Sequence, residues 1–151
     1  MTNFLLKISL YSISYLPMWV LYIISDILYL IAYKILGYRK KVVQNNLKNS
    51  FPEKTESELE KIKKKFYRHF FDIIVETIKS VSANKYFFRK HIAINNIELL
   101  DKYHKNNQTV VLALAHFGNW EWGNIGLSIE SKQKLIGIYK VLNNDFFNTL
   151  M

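Results

Sequence analysis

Between Ile8 and Tyr33 the chain carries a single charged side chain, Asp26. The stretch ISLYSISYLPMWVLYIIS has none, and ILYLIAY carries the apolar run on to Tyr33. A helix needs roughly 20 apolar residues to cross the hydrocarbon of a bilayer, and this run is long enough. Pro17, the interspersed serines and Asp26 make it a poor lipid-embedded rod. Tyr11, Tyr15, Trp19 and Tyr22 suit the membrane interface, where an apolar ring carries a polar tip. A cleaved secretory signal is excluded, because the apolar stretch is too long for such a segment and no small-x-small cleavage site follows it. The competing reading is a pair of helices buried in a globular core.

Lys34 and then Tyr38-Arg39-Lys40-Lys41 follow this run. Positive charge beside an apolar span marks the cytoplasmic side and attracts anionic headgroups, although the same residues also read as a solvated basic turn. The whole chain of 151 residues has 21 Lys+Arg against 12 Asp+Glu, a formal net charge of +9. Such an excess points to an anionic partner, either nucleic acid or a membrane surface. No nucleic-acid recognition motif is present, and a nucleic-acid binder leaves the apolar N-terminus unexplained. Cys is absent, which excludes disulfide scaffolds, zinc ribbons and thiol nucleophiles.

In the middle of the chain, Phe51-Pro52-Glu53-Lys54-Thr55 breaks the pattern, since Pro removes a donor and restricts the residue before it. Thr55 or Ser57 can cap a following helix, with Glu58 or Glu60 three residues on. Leu59, Ile62, Phe66, Phe70, Ile73, Ile78 and Val81 then form an apolar face, opposite Lys61, Lys63, Lys64, Lys65 and Arg68. That face either packs in a core or lies on a membrane. His69 and Glu76 on this helix are given no role.

The last third changes period. Ile92-Ala93-Ile94-Asn95 reads as a short strand and Asn96 to Lys105 as a helix with Ile97, Leu100 and Tyr103 inward. Thr109 to Ala115 is a continuous apolar run, the pattern of a strand buried on both faces. Trp120 to Ile129 reads as a helix and Leu135 to Tyr139 as another strand. The expected fold class is therefore α/β: N-terminal membrane-associated helices, a helical segment, then a partial αβ sandwich. The expected division is a hydrophobic anchor over 1–36, helices over 37–90 and the α/β part over 91–151.

Ligands in open α/β sheets gather at the carboxyl ends of strands. At the end of the strongest expected strand stands Ala115-His116-Phe117-Gly118-Asn119-Trp120-Glu121. Gly118 permits a turn, Asn119 is a good helix N-cap, and Glu121 falls in the first helical turn, where the dipole favours its anion. A strand–turn–helix of this kind can bring His116 and Glu121 together. A His oriented by a carboxylate is a general base. No Ser or Cys nucleophile accompanies it, so the base acts on something that arrives with the substrate, such as a hydroxyl, and backbone N–H groups of the next helix receive the developing oxyanion. The same His and Glu also read as structural residues.

HFGNWE at His116–Glu121 resembles the His-x4-acid signature of membrane acyltransferases. It is most similar to the late (lauroyl/myristoyl) acyltransferases of lipid A biosynthesis, within the lysophospholipid acyltransferase superfamily. YRKKVVQNNLKNSFPE at Tyr38–Glu53, FYRHFFDIIVETIKS at Phe66–Ser80, the hydrophobic N-terminus and IGIYKVLNNDFFNTL carry the likeness along nearly the whole chain. The resemblance implies a sandwich of glycerolipid-acyltransferase type and an enzyme at the cytoplasmic face of the bacterial inner membrane. It implies transfer of a fatty acyl chain from an acyl carrier protein or coenzyme A thioester to a hydroxyl of a glycolipid acceptor, a lipid A precursor. His116 is then the general base and Glu121 orients and polarises it. Gly118 and Asn119 belong to the same motif beside the substrate. Lys140 meets a phosphate or carboxylate, or is simply solvated. No metal or redox cofactor is implied.

Family members continue well past residue 151, with further strands and an arginine motif. The chain is therefore expected to be the N-terminal half of a longer enzyme and inactive or poorly folded alone. Two other readings stand beside the first: acyl transfer to another glycolipid, an aminolipid or a lysophospholipid, and a non-catalytic membrane-associated remnant.

Overall fold

The computed structural model describes residues 2–138. Among these residues the regular structure is helical: α1 (Thr2–Ser14), α2 (Met18–Tyr29) continuing into a π-helical turn (Leu30–Ile35), α3 (Lys40–Ser50), α4 (Glu56–Ser80), α5 (Lys85–His91), α6 (Glu98–Lys105) and α7 (Trp120–Glu130). The chain divides into two compact units, one of Met1–Tyr15 with Ser80–Met151 and one of Leu16–Lys79.

In the unit Leu16–Lys79, Pro17 ends the first apolar helix and starts the second, because its ring cannot continue a helix but suits the position just before one. Residues Met18–Ile35 form one helix long and apolar enough to cross a membrane. Leu21, Ser25, Tyr29 and Tyr33, each four residues apart, are buried. Beyond Tyr29 the turn widens, and the Leu36 N–H donates to the Ile31 carbonyl five residues back at 2.9 Å. On α4 the buried stripe is Leu59, Lys63, Tyr67, Phe71 and Val75. Tyr29, Tyr33, Tyr67 and Phe71 make the aromatic core of the unit, with the Tyr29 and Tyr33 rings stacked at 5.5 Å. The Tyr67 hydroxyl donates to the Tyr38 carbonyl and ties down the turn before α3.

Thr55 and Glu58 form a reciprocal capping box at the start of α4. The Glu58 N–H donates to Thr55 Oγ1 at 3.3 Å, and the Thr55 N–H donates to Glu58 Oε2 at 2.9 Å. The cap is therefore Thr55 with Glu58, not Ser57 with Glu60. The inward face of α4 is also rotated from the expected one. Phe66 and Phe70 are exposed, whereas Lys63, expected among the solvated cations, is buried. Its ammonium is held by Gln44 Oε1 at 2.8 Å and Glu60 Oε2 at 2.6 Å, which compensates its charge there. Tyr67 and Phe71, one position on, fill the core in place of Phe66 and Phe70.

In the other unit, α5 begins at an Asn84 cap whose Oδ1 accepts from the Phe87 N–H at 2.9 Å. Trp122 of α7 is buried edge-on against Phe87 and Phe88, and its indole N–H donates to Ser80 Oγ at 2.9 Å. Arg89 pairs with Glu130 at 2.8 Å and Lys132 with Asp101 at 2.6 Å. The Ser82 hydroxyl donates to the Ser14 carbonyl at 2.8 Å.

The expected αβ sandwich is not found: the described residues contain no paired strand. Ile92–Ile94, Thr109–Ala115 and 135–138 run without a ladder. A β-branched apolar run favours extended backbone, but a strand is made by a neighbour that accepts and donates its backbone hydrogen bonds. Among the described residues no neighbour supplies them, and side chains expected inside lie outside: Val111 is 91% exposed and Ile138 fully so. Tyr139, the last residue of the third expected strand, lies outside the described residues.

Candidate active site

His116 ends the apolar run Thr109–Ala115 at a tight turn. The Phe117 N–H donates to the Ala115 carbonyl at 2.8 Å, closing a three-residue turn with His116 at its apex. Gly118 follows at φ +59°, in the left-handed region where a Cβ is strained. Asn119 then caps α7, its Oδ1 accepting from the Trp122 N–H at 3.0 Å. The expected strand–turn–helix is thus an irregular segment, a turn and a helix. The role of Asn119 as N-cap follows from its short amide side chain.

The imidazole of His116 is exposed, and its ring lies 4.6 Å from that of Trp120. Glu121 is half-buried in the first turn of α7, where the partial positive charge of the helix start favours a carboxylate. Gly118 and Asn119 stand between them in the chain. Lys140, the remaining candidate, lies outside the described residues.

A cavity of about 530 Å3 opens beside this turn. Leu112, Leu114, Ala115 and Phe117 border it on one side, Trp120, Gly123 and Leu127 of α7 on another, and Ile94, Ile97 and Leu100 around α6 on a third. Its lining is mostly hydrocarbon, and Asn119 lies at its margin as well as at the helix cap. Gly123 faces open space, with no heavy atom within 4 Å of where a Cβ would stand. One stretch, Leu112–Leu127, therefore carries the histidine and most of the cavity wall, and Ile94–Leu100 supplies the rest. Sequence reasoning missed Trp120 as the neighbour of His116 and Gly123 as part of the wall. An aromatic residue four positions after the histidine was the available signal for the first, and nothing in the sequence marked the second.

The same short segment thus carries an exposed imidazole, a carboxylate in the first turn of a helix and part of an apolar recess whose lining includes neither His116 nor Glu121. An imidazole can move a proton, and an apolar recess can take a hydrocarbon chain. A family model described as bacterial lipid A biosynthesis acyltransferase matches residues 1–151. Comparisons with curated proteins and with solved structures gave no match. The match spans the whole chain, which belongs to the bacterial lipid A biosynthesis acyltransferases, membrane-associated enzymes that pass an acyl group from a donor to a lipid acceptor.

Proposed function

We propose that the protein transfers a fatty acyl chain from an acyl carrier protein thioester to a hydroxyl of a lipid A precursor, with His116 as general base and Glu121 as its orienting partner. The observation that carries this reading is the position of His116 at the apex of a turn that also borders the apolar cavity. The imidazole takes the proton of the acceptor hydroxyl as its oxygen attacks the thioester carbonyl. The tetrahedral oxyanion is stabilised by the positive start of α7. Collapse breaks the C–S bond, and the departing thiolate of the carrier receives the proton from the imidazolium. No acyl-enzyme forms, since neither Ser nor Cys stands at the turn.

The cavity receives the acyl chain, and Gly118 and Asn119 shape the turn that presents the base. The segments 1–36, 37–90 and 91–151 act as membrane anchor, helical support and catalytic part. The enzyme works at the cytoplasmic face of the inner membrane, where carrier protein and lipid precursor meet.

The test is acyl transfer by the full protein in membranes, from an acyl carrier protein or coenzyme A thioester to an acylated glucosamine disaccharide, read by mass spectrometry. His116→Ala lowers the rate by about 10²–10⁴-fold with membrane binding intact. Glu121→Gln lowers it while leaving a residue of similar size. Unchanged lipid chemistry in the His116 variant overturns the reading in favour of a non-catalytic membrane protein. Transfer to a lysophospholipid or aminolipid in place of the disaccharide changes the acceptor and keeps the chemistry.

A further inference from the structure

The helix Met18–Ile35 is long and apolar enough to cross a membrane. Its contacts argue for another placement. The Tyr22 hydroxyl donates to Glu76 at 2.9 Å, the Ser25 hydroxyl to Asp72 at 2.6 Å, and the Tyr33 hydroxyl to Glu60. These contacts run from residue 22 to 33 on one helix and from 76 back to 60 on the other. The two helices therefore lie antiparallel and side by side over roughly 16 Å of axis, at 1.5 Å per residue. Polar contacts thus recur along the pairing beside its aromatic core, and the carboxylates of Asp72 and Glu76 reach Ser25 and Tyr22 of the apolar helix.

A bilayer crossing by Met18–Ile35 would draw this part of α4 into hydrocarbon with it. The segment carries Lys61, Lys64, Lys65 and Arg68, all exposed, together with Asp72 and Glu76. Ionised side chains at the bilayer centre are costly, and six on one helix exceed what a single apolar neighbour offsets. The outer side of α2 is different. Trp19, Ile23, Ile27, Leu30, Ile31 and Ile35 are exposed, with Trp19 67% and Ile35 76% accessible at its two ends. Lys34, Arg39 and Lys41 stand exposed at the C-terminal end of this stripe.

We propose that Met18–Ile35 lies flat in one leaflet of an anionic membrane, its outer stripe in the acyl boundary and α4 on the water side, and does not cross. An apolar stripe flanked by cations is the signature of an interfacial helix. The partner is a lipid surface bearing anionic headgroups, which the cations match in charge. The inference stands apart from the acyl-transfer reading, and its test does not use activity.

The chain has no Cys, so single Cys variants at Trp19, Ile23, Ile27, Ile31 and Ile35 can each carry one spin label on the exposed side without disturbing the packed side. The full protein is placed on vesicles of phosphatidylethanolamine and phosphatidylglycerol, and label depth is read from the oxygen-to-nickel accessibility ratio. The expected result is the same shallow depth at all five positions. A profile deepest at Ile27 and shallow at both ends overturns the proposal in favour of a crossing helix. Water-like values at every position overturn it in favour of a core helix. Vesicles without phosphatidylglycerol are expected to bind at least about tenfold less protein, and equal binding removes the anionic surface as partner.

Discussion

A Cβ added at Gly126 would stand 2.7 Å from Cγ2 of Ile92, so the backbone of α7 rests directly on the residue that closes α5. The contact leaves no room for a methyl group. Gly126→Ala is expected to destabilise by about 1–3 kcal/mol through overpacking, more than the 0.5–1 kcal/mol a helix gains when glycine is replaced. Thermal melts of the single variants and of the double variant with Ile92→Ala check this. The double variant is expected to lose less than the sum, because the second change removes the atom that the first one strikes.

Asn119 holds the start of α7 through its side-chain carbonyl. Asn119→Ala is expected to cost about 1 kcal/mol of stability, and Asn119→Ser or Asn119→Asp only a fraction of that. Urea titration measures the cost. Under the proposed function the alanine variant also slows acyl transfer, and its rescue by serine or aspartate would assign the loss to the cap and not to a substrate contact.

The carboxylate of Glu60 is held below its ordinary pKa of 4.5 by hydrogen bonds from the Lys63 ammonium and the Tyr33 hydroxyl. A carboxyl lowered in the folded state contributes stability that is complete above its unfolded pKa and fades as pH falls through the lower folded value. Melting temperature is therefore expected to fall below about pH 4.5 more steeply for the wild type than for Glu60→Gln. Tyr33→Phe is expected to weaken the slope without abolishing it, because Lys63 remains. Parallel curves for all three proteins would remove Glu60 from the acid response.

Gly123 borders the cavity and faces open space. Gly123→Leu is expected to keep α7 intact and to fill part of the recess. If the cavity takes the acyl chain, turnover of the longest accepted chain falls on the order of tenfold relative to one shorter by two methylenes, at about 0.8 kcal/mol per methylene. Competition between two acyl donors, read by product mass, measures the ratio.

The helices were legible where end signals and periodicity agreed. Thr55 and Glu58 marked the start of α4 and Asn119 the start of α7, whereas Pro17, read only as a flaw in one apolar run, separates α1 from α2. The phase of α4 was not legible from apolar spacing. Phe66-Tyr67 and Phe70-Phe71 offer two adjacent aromatic stripes of the same period. The stripe that faces in is the one whose neighbours Lys63 and Tyr67 find polar partners in Gln44, Glu60 and the Tyr38 carbonyl. The expected strands show the limit of local pattern. Thr109–Ala115 has strand composition, but pairing is a property of two segments, and no second one accepts it among the described residues. For the candidate site, the placement of His116, Gly118, Asn119 and Glu121 around a turn followed from the cap and the glycine. The cavity did not, because its walls come from two separate stretches, Ile94–Leu100 and Leu112–Leu127.

The widened turn at Leu30–Ile35 holds one residue more than a regular helix would need to cover the same rise. Removing a single residue there would restore ordinary winding and leave everything downstream on nearly the same bearing, because the widened turn already absorbs the surplus. The same deletion in the regular winding of Met18–Tyr29 would turn the basic corner by about 100°. That one surplus residue thus acts as slack in the helix pair, and a one-residue deletion in this short stretch should be tolerated better than one in the helix before it.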